Sequence, residues 1–453
     1  MRAGKPPMHS GGLMNMRRLL SIVSAAGLLL AAAGAAHPAA SGDDVEKFAG
    51  VYQLYPGQFV YIQPWPGGGG QLTYSDDAGH VRALFPTSKN LFTAGPGLLV
   101  RTPVEMTITF IPDPNGRIIR LIQQKAGSAA LAARKLGSYK REQVQFPSGA
   151  ERITGILLTP AGKGPFPAMV LIHGTGATDR NTVFPIVQFL LSHGMALLGY
   201  DKRGVGESTG DWHAASLEEL AADAIAAVKF LKTRKEIDPA RIGVFGASQG
   251  GWVAPLAAAR SADIAYVISV SGPGVSPAEV DRDHLENALR IKGFPEQEIS
   301  QALALLTLRD AVATGKENLE TLQAAIANAR QQAWFPYAAL PPSIDRSLMA
   351  HWSRLPLDYD PRPALEKLHV PVLALFGKLD QTVLAAKNAA QWQQALEKGG
   401  AKDWTIQIYP SGNHMLLEAR TGSEEEIPTL ERFVPAFAPL LLDWFYKRAL
   451  LTK

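Results

Sequence analysis

One stretch, Arg241–Trp252, reads R-I-G-V-F-G-A-S-Q-G-G-W and constrains the fold more tightly than any other part of the chain. The apolar run Ile242–Phe245 ends in Gly246-Ala247-Ser248-Gln249-Gly250, and a helix-compatible segment, Trp252–Arg260, follows at once. Strand, sharp turn and helix in so few residues place Ser248 at the apex of the turn, in a strained backbone conformation. Only glycine-sized neighbours let strand and helix approach so closely. The serine hydroxyl then stands at the carboxyl edge of a sheet with a helix N-terminus beneath it. A nucleophile needs that position; a structural serine does not.

The same G-x-S-x-G pattern recurs at Gly206-Glu207-Ser208-Thr209-Gly210, which is the false-positive risk of any short motif. Context separates the two. The strand before Ser208, Ala196–Tyr200, ends well short of Gly206, and the polar loop Asp201–Val205 intervenes. Asp211-Trp212-His213 continues as loop. Ser208 is therefore read as a loop residue and Ser248 as the elbow.

From Ser138 onward, strand-like and helix-like runs alternate. Ile153–Thr159, Ala168–His173, Ala196–Tyr200, Ile242–Phe245, Tyr266–Ser271, Val372–Phe376 and Thr405–Tyr409 are candidate strands. Helices are expected at Val183–His193, Leu217–Lys232, Trp252–Arg260 and Asn388–Lys398, with a closing helix over Pro428–Ala449. Such alternation implies a mostly parallel sheet covered on both faces. Residues 273–362 break the rhythm with helical, Ala-, Leu- and Gln-rich sequence. Inserted after a strand's carboxyl end, they read as a cap over the site.

Residues 44–125 read as short β-runs: Val51–Leu54, Phe59–Gln63, Gln71–Tyr74, Val81–Phe85, Glu105–Ile111 and Arg117–Gln123. Turn signals at Gly67–Gly70, Asp76–Gly79 and Asp113–Gly116 separate them, so a small antiparallel sheet or barrel is expected. The alanine-rich segment 126–137 reads as a linker. Residues 1–36 read as a signal peptide: Arg17-Arg18, apolar Leu19–Ala33, then small residues. Of the 45 Lys and Arg in the chain, Arg2, Lys5, Arg17 and Arg18 fall in that leader, which holds no acid. Without them the formal charge of +4 vanishes, and with it any case for a nucleic-acid partner. The apolar run is too short to span a bilayer, so no stable membrane anchor is expected. A periplasmic or secreted address follows. With no cysteine, disulfides and thiolate metal sites are excluded and stability rests on core burial.

A serine hydroxyl needs a base, and histidine has the right pKa. In such a sheet the base belongs on the loop after the last strand, which selects His414 in Gly412-Asn413-His414. The orienting acid should follow the preceding strand, which selects Asp380 in Gly377-Lys378-Leu379-Asp380. Asp358 and Asp360 precede that strand and lie at its wrong end. The other reading of Asp380 is a turn aspartate capping the next helix. A developing oxyanion needs two donors: the backbone N–H of Gln249, and one from His173-Gly174-Thr175-Gly176 after an earlier strand. There Thr175 is preferred, Gly174 comes next, and His173 anchors the loop. No cofactor or metal is implied. Trp334, Phe335, Tyr337 and Trp352 in the cap either line an apolar substrate pocket or pack the cap.

Taken with Tyr200-Asp201-Lys202-Arg203-Gly204-Val205-Gly206-Glu207-Ser208, these motifs resemble the α/β-hydrolases of the bacterial esterase, dienelactone-hydrolase and serine-aminopeptidase-like group over residues 138–453. The β module loosely resembles the lipocalin-like modules appended to some bacterial serine hydrolases. The resemblance implies that Asp201 and Arg203 are scaffold residues, and that Ser248, His414 and Asp380 hydrolyse a small or medium carboxylic ester. A peptidase or aminopeptidase, a thioesterase, and a non-catalytic ligand-binding protein of the same fold are the alternatives.

Overall fold

The structure is a computed structural model of the 453-residue chain; it describes residues 45–65, 71–137, 139–181, 186–341, 343–344 and 356–451. The expected leader at 1–36, the turn at Gly67–Gly70 and Trp352 lie outside the described residues. Among those residues no helix is long and apolar enough to cross a membrane.

Eight antiparallel strands form a closed barrel: β1 (Gly50–Tyr55), β2 (Gln58–Pro64), β3 (Leu72–Asp76), β4 (Val81–Ser88), β5 (Leu91–Ala94), β6 (Met106–Pro112), β7 (Ile118–Lys125) and β8 (Leu131–Lys135). Alternating side chains point inward, as a pleated strand requires. In β6, Met106, Ile108 and Phe110 are buried while Thr107, Thr109 and Ile111 are less so. Tyr52, Ile62, Leu72, Leu84, Ile108, Phe110 and Leu121 fill the interior, and the Phe48 ring stacks against Phe110 at 4.5 Å. Packed side chains therefore occupy the space where a ligand-carrying barrel would have a cavity.

The linker expected over 126–137 is corrected: its second half is β8, which pairs with β1 through Tyr52–Lys135 and Gln53–Arg134 and closes the barrel. Leu-Ala-Ala-Arg-Lys has weak β-propensity, and closing the ladder overrides it.

The second body is an eight-stranded sheet. To the strands β9 (Lys140–Ser148), β10 (Glu151–Thr159), β11 (Phe166–Ile172) and β12 (Ala196–Tyr200) it adds β13 (Ile237–Ala247), β14 (Val267–Val270), β15 (Val372–Gly377) and β16 (Trp404–Tyr409). The spatial order is β16-β15-β14-β13-β11-β12-β10-β9. From β12 to β16 all pairings are parallel; β10 is antiparallel to both β9 and β12. The flanking helices are α1 (Val187–Ser192), α2 (Leu217–Lys232), α3 (Gly250–Ala258), α8 (Ala385–Lys398) and α9 (Phe437–Lys447), with the short α7 (Arg362–Leu365) before β15. Between β14 and β15 stand α4 (Pro277–Ile291), α5 (Glu296–Ala313) and α6 (Leu319–Ala329), the cap. The cap has its own core, in which Trp334 and Phe335 are buried beside Leu285, Leu305 and Ile326. Those two aromatics pack the cap rather than line a pocket.

The closing helix is also corrected. Only Phe437–Lys447 is α-helical; a 3-10 turn covers Glu424–Thr429, and an extended ribbon joins them. Pro435 would fall inside a continuous helix and remove a backbone donor it needs. The ribbon is sandwiched instead. On one side Glu418 N–H donates to Arg432 O (2.8 Å) and Val434 N–H to Leu416 O (2.8 Å). On the other side the barrel binds it: Val81 N–H to Glu431 O (2.9 Å), Leu98 N–H to Leu430 O (2.7 Å), and Leu99 N–H to Pro428 O (2.9 Å). The barrel thereby buttresses the chain just after His414.

Gly97 lies at this seam, where a β-carbon would come within 2.6 Å of Pro428 O and of Thr429 Cα. Gly97→Ala is expected to destabilise the protein by about 1–3 kcal/mol, the usual cost of overpacking. Thermal or denaturant unfolding measures it, and an unchanged midpoint would show that the seam yields freely.

Candidate active site

At the end of β13, Ser248 adopts φ 52°, a region that costs a non-glycine residue about 1–3 kcal/mol. The surroundings hold it there. Its N–H donates to Val270 O (3.0 Å) and its carbonyl accepts from Gly251 N–H (2.7 Å). The flanking glycines leave no room for a side chain: a β-carbon on Gly246 would sit 2.0 Å from Gly250 O, and one on Gly250 2.8 Å from Ile172 O. α3 starts directly after Gln249, so the Gln249 N–H belongs to the helix N-terminus. Ser208 is differently employed: buried in its loop, its hydroxyl accepts from Thr154 N–H (2.9 Å) and donates to Asp201 O (2.8 Å). The hydroxyl proton there is given to a backbone carbonyl.

Asp380 follows β15 and is 3% exposed. Its Oδ1 accepts the N–H groups of Thr382 (2.8 Å) and Val383 (2.9 Å), and its Oδ2 lies 2.7 Å from His414 Nδ1. One carboxylate oxygen pins the turn before α8, whose N-cap is Leu384 rather than Asp380, and the other takes the imidazole. The bond fixes the tautomer: Nδ1 carries the proton, and Nε2 is left as an acceptor. Burial pulls His414 down, but the charge and hydrogen bond of Asp380, with Glu424, outweigh it and hold the imidazole above its ordinary value.

Two residues around His414 carried no sequence signal of their own. Ser271, at the end of β14 with φ 49°, donates its hydroxyl to His414 O (2.8 Å) while its N–H donates to Leu375 O (2.8 Å). It is a second strained serine at the same edge, and it ties the histidine backbone between the ends of β14 and β15. Asn413, 1% exposed, accepts from Met415 N–H (2.9 Å) and Leu417 N–H (3.0 Å) and so shapes the turn. Gly377 lets that turn cross β15, where a β-carbon would meet Asn413 O at 2.3 Å.

The His173–Gly176 loop follows β11 and abuts the elbow; a β-carbon on Gly174 would lie 3.5 Å from Ala247 O and 3.6 Å from Ser248 Cβ. Thr175, next in the chain, is half-buried. The His173 Nε2–H donates to Tyr200 O, and burial pushes the imidazole down to about 3, so it is neutral and serves as an anchor. Asp201 and Arg203 brace the neighbouring loops. Asp201 takes the Arg180 N–H (2.7 Å) and guanidinium together with Glu207 N–H (2.9 Å). Arg203 forms a fork on Asp223, both bonds 2.8 Å, with Glu219 beside it. The cap reaches this edge through His284 on α4, whose Nδ1–H donates to Gln381 O (2.8 Å).

This strand order, with an elbow serine and loop residues gathered at the carboxyl edge, is the α/β-hydrolase fold. The family described as serine aminopeptidase, S33, matches residues 164–420, and the chain belongs to it. Esterase EstD of Thermotoga maritima is 28% identical over 282 residues, 60% of this chain; the chain covers 60% of that esterase's own length. Among solved structures, the esterase Pf2001 of Pyrococcus furiosus overlays with a TM-score of 0.43 at 15% identity, covering 68% of this chain and 91% of that one. The acylaminoacyl peptidase of Pyrococcus horikoshii gives 0.43 at 15%, over 87% of this chain and 55% of that one.

His414 should titrate above the ordinary imidazole value of 6.5, and Asp380→Asn should lower that value by removing the charge that favours the imidazolium. An NMR titration of the His414 ring reads both. A midpoint unmoved by Asp380→Asn would mean that the 2.7 Å contact carries no charge coupling.

Proposed function

We propose that this hydrolase cleaves small to medium carboxylic esters by acyl transfer to Ser248, with His414 as base and Asp380 orienting it. The observation that carries this reading is the Asp380–His414 bond, 2.7 Å, with the free Asp380 oxygen locked by two N–H groups. An imidazole so held keeps Nε2 free to take a proton, and the strained turn presents the Ser248 hydroxyl at the same carboxyl edge of the sheet. The Ser248 hydroxyl attacks the ester carbonyl carbon while Nε2 of His414 takes its proton. The negative charge that develops on the carbonyl oxygen is met by the N–H groups of Gln249 and Thr175. The C–O bond then breaks, the alcohol leaves with the proton from His414, and water releases the acid by the same steps in reverse.

Ser248→Ala should lower turnover of p-nitrophenyl esters by at least about a thousandfold, as triad removals do. Wild-type enzyme should label with a fluorophosphonate and Ser248→Ala should not. Ser208→Ala should keep both activity and labelling. Wild-type turnover in Ser248→Ala would overturn the assignment, and a wild type inert to the probe would favour a binding protein that has kept the fold.

One observation favours a second reading, cleavage of amides beside a free amino group. Glu424, on the 3-10 turn after the histidine loop, faces both His284 of the cap and His414, and burial raises its carboxyl above the ordinary value. A carboxylate at that rim suits a substrate ammonium. If amides are the substrates, aminoacyl-anilides are cleaved, and Glu424→Gln raises their KM about tenfold or more while leaving the KM of neutral esters unchanged, since a charge-assisted bond is worth roughly 1.5–3 kcal/mol. Hydrolysis of esters alone, indifferent to Glu424→Gln, eliminates this reading.

A further inference from the structure

Lys202 is 2% exposed, and among the described residues its ammonium has no carboxylate partner. The two acids nearest in the chain, Asp201 and Glu207, both pair with Arg180, and Asp223 pairs with Arg203. Nζ instead donates to three uncharged oxygens: Gly174 O (3.0 Å), Gly176 O (3.3 Å) and Gln249 Oε1 (2.7 Å). The Trp212 ring lies 5.4 Å away on the remaining side, and the neighbouring His173 is neutral. Burying an ammonium without a counter-ion costs several kcal/mol. A methionine would fill the same space without that cost, so packing alone does not account for the lysine.

The identity of the three acceptors does. Two belong to the His173–Gly176 loop and one to the residue after Ser248, the two segments that supply the oxyanion donors. Gly174 O and the Thr175 N–H are opposite ends of one peptide unit. In a trans peptide they point in opposite directions, and cis bonds occur only at Thr102-Pro103 and Gly164-Pro165 among the described residues. Pulling the Gly174 carbonyl toward Nζ therefore turns the Thr175 N–H away from it, in a loop that abuts Ser248 at Gly174. The bond to Gln249 Oε1 clamps the second donor residue against the same point. Burial pushes the amine down to about 7, and the three acceptors work against that shift, because an unprotonated amine has only two N–H bonds and the charged form alone satisfies them all.

We infer that Lys202 is the positioning residue of the oxyanion hole, its buried ammonium aligning the Thr175 and Gln249 N–H donors and lending them positive field as charge develops on the substrate oxygen. The inference rests on the acyl-transfer reading and sharpens it. Lys202 touches neither substrate nor Ser248. It acts through peptide dipoles, which is why its loss should appear in the transition state more than in substrate binding.

The test is Lys202→Met in the full chain, assayed with p-nitrophenyl butyrate and with phenylboronic acid, whose tetrahedral serine adduct places an oxygen in the hole. The expected result is a kcat about 10–100-fold lower, somewhat less than the loss of a direct oxyanion donor, with KM within about threefold and boronate affinity reduced in parallel with kcat. Lys202→Arg, which keeps the charge and the donors, should recover part of kcat. Should Lys202→Met not fold, Gln249→Ala removes one acceptor and keeps the backbone N–H; a kcat several-fold lower with unchanged KM is then expected. Wild-type kcat and boronate affinity in folded Lys202→Met, or in Gln249→Ala where that variant stands in, would overturn the inference. So would a loss confined to KM. Ser248→Ala separates the two layers: if it is inactive while Lys202→Met is fully active, only the role of Lys202 falls; if Ser248→Ala is fully active, the acyl-transfer reading falls.

Discussion

Everything at the carboxyl edge depends on how closely α3 comes to the strand ends that surround it. Gly250 lies against the carbonyls of Ile172 and His173, and Gly251 against Gly272, so that one helix N-terminus touches the ends of β11 and β14 at once. No side chain larger than hydrogen fits at either position. The approach forces Ser248 into a positive φ and brings the His173–Gly176 loop against the elbow. A single extra methyl group here would have to move several strands, because packed interiors do not absorb such overlap locally.

The opposite side of the site is held by different means. His414 sits on a turn with little secondary structure of its own, and its position is overdetermined by bonds from elsewhere. Asp380 holds the ring, Ser271 the carbonyl, and Asn413 the following amides. Beyond them the 428–434 ribbon pairs inward with residues 416–418 and outward with the barrel. The N-terminal barrel, its interior filled with side chains, is thus continuous with the support of the histidine turn. A loop fixed on both sides keeps the Nδ1–Oδ2 geometry without needing a helix or strand to carry it.

Much of this was legible in the sequence, for identifiable reasons. The elbow announces itself because sterics there admit few residue types. Asp380 and His414 follow from strand counting, since each loop after a parallel strand emerges at the same edge. β8 and the 428–434 ribbon were misread because local propensity decided neither: Ala-Ala in β8 and the apolar run after Pro428 both favour helix, and the tertiary ladder prevailed in each. β9 was not recognised because Gln143 and Gln145 alternate with Val144 and Phe146 over only its second half, a pattern that a half-covered outer strand shares with a loop. Ser271 escaped because its role depends on an oxygen more than a hundred residues away in the chain.

The run Asp201-Lys202-Arg203 shows how much of a site's electrostatics sequence leaves open. The three adjacent charges have three different fates. Asp201 is neutralised by Arg180 within the loops it joins, and Arg203 is neutralised by Asp223 on α2. Each arginine also holds a second, more exposed carboxylate, Glu207 on Arg180 and Glu219 on Arg203. Lys202 lies between them with its charge uncompensated, held by carbonyl dipoles that point their negative ends toward it. Dipoles so oriented present their positive ends away from the ammonium. In the proposed acyl transfer, an arrangement already poised for negative charge needs no reorganisation when that charge appears.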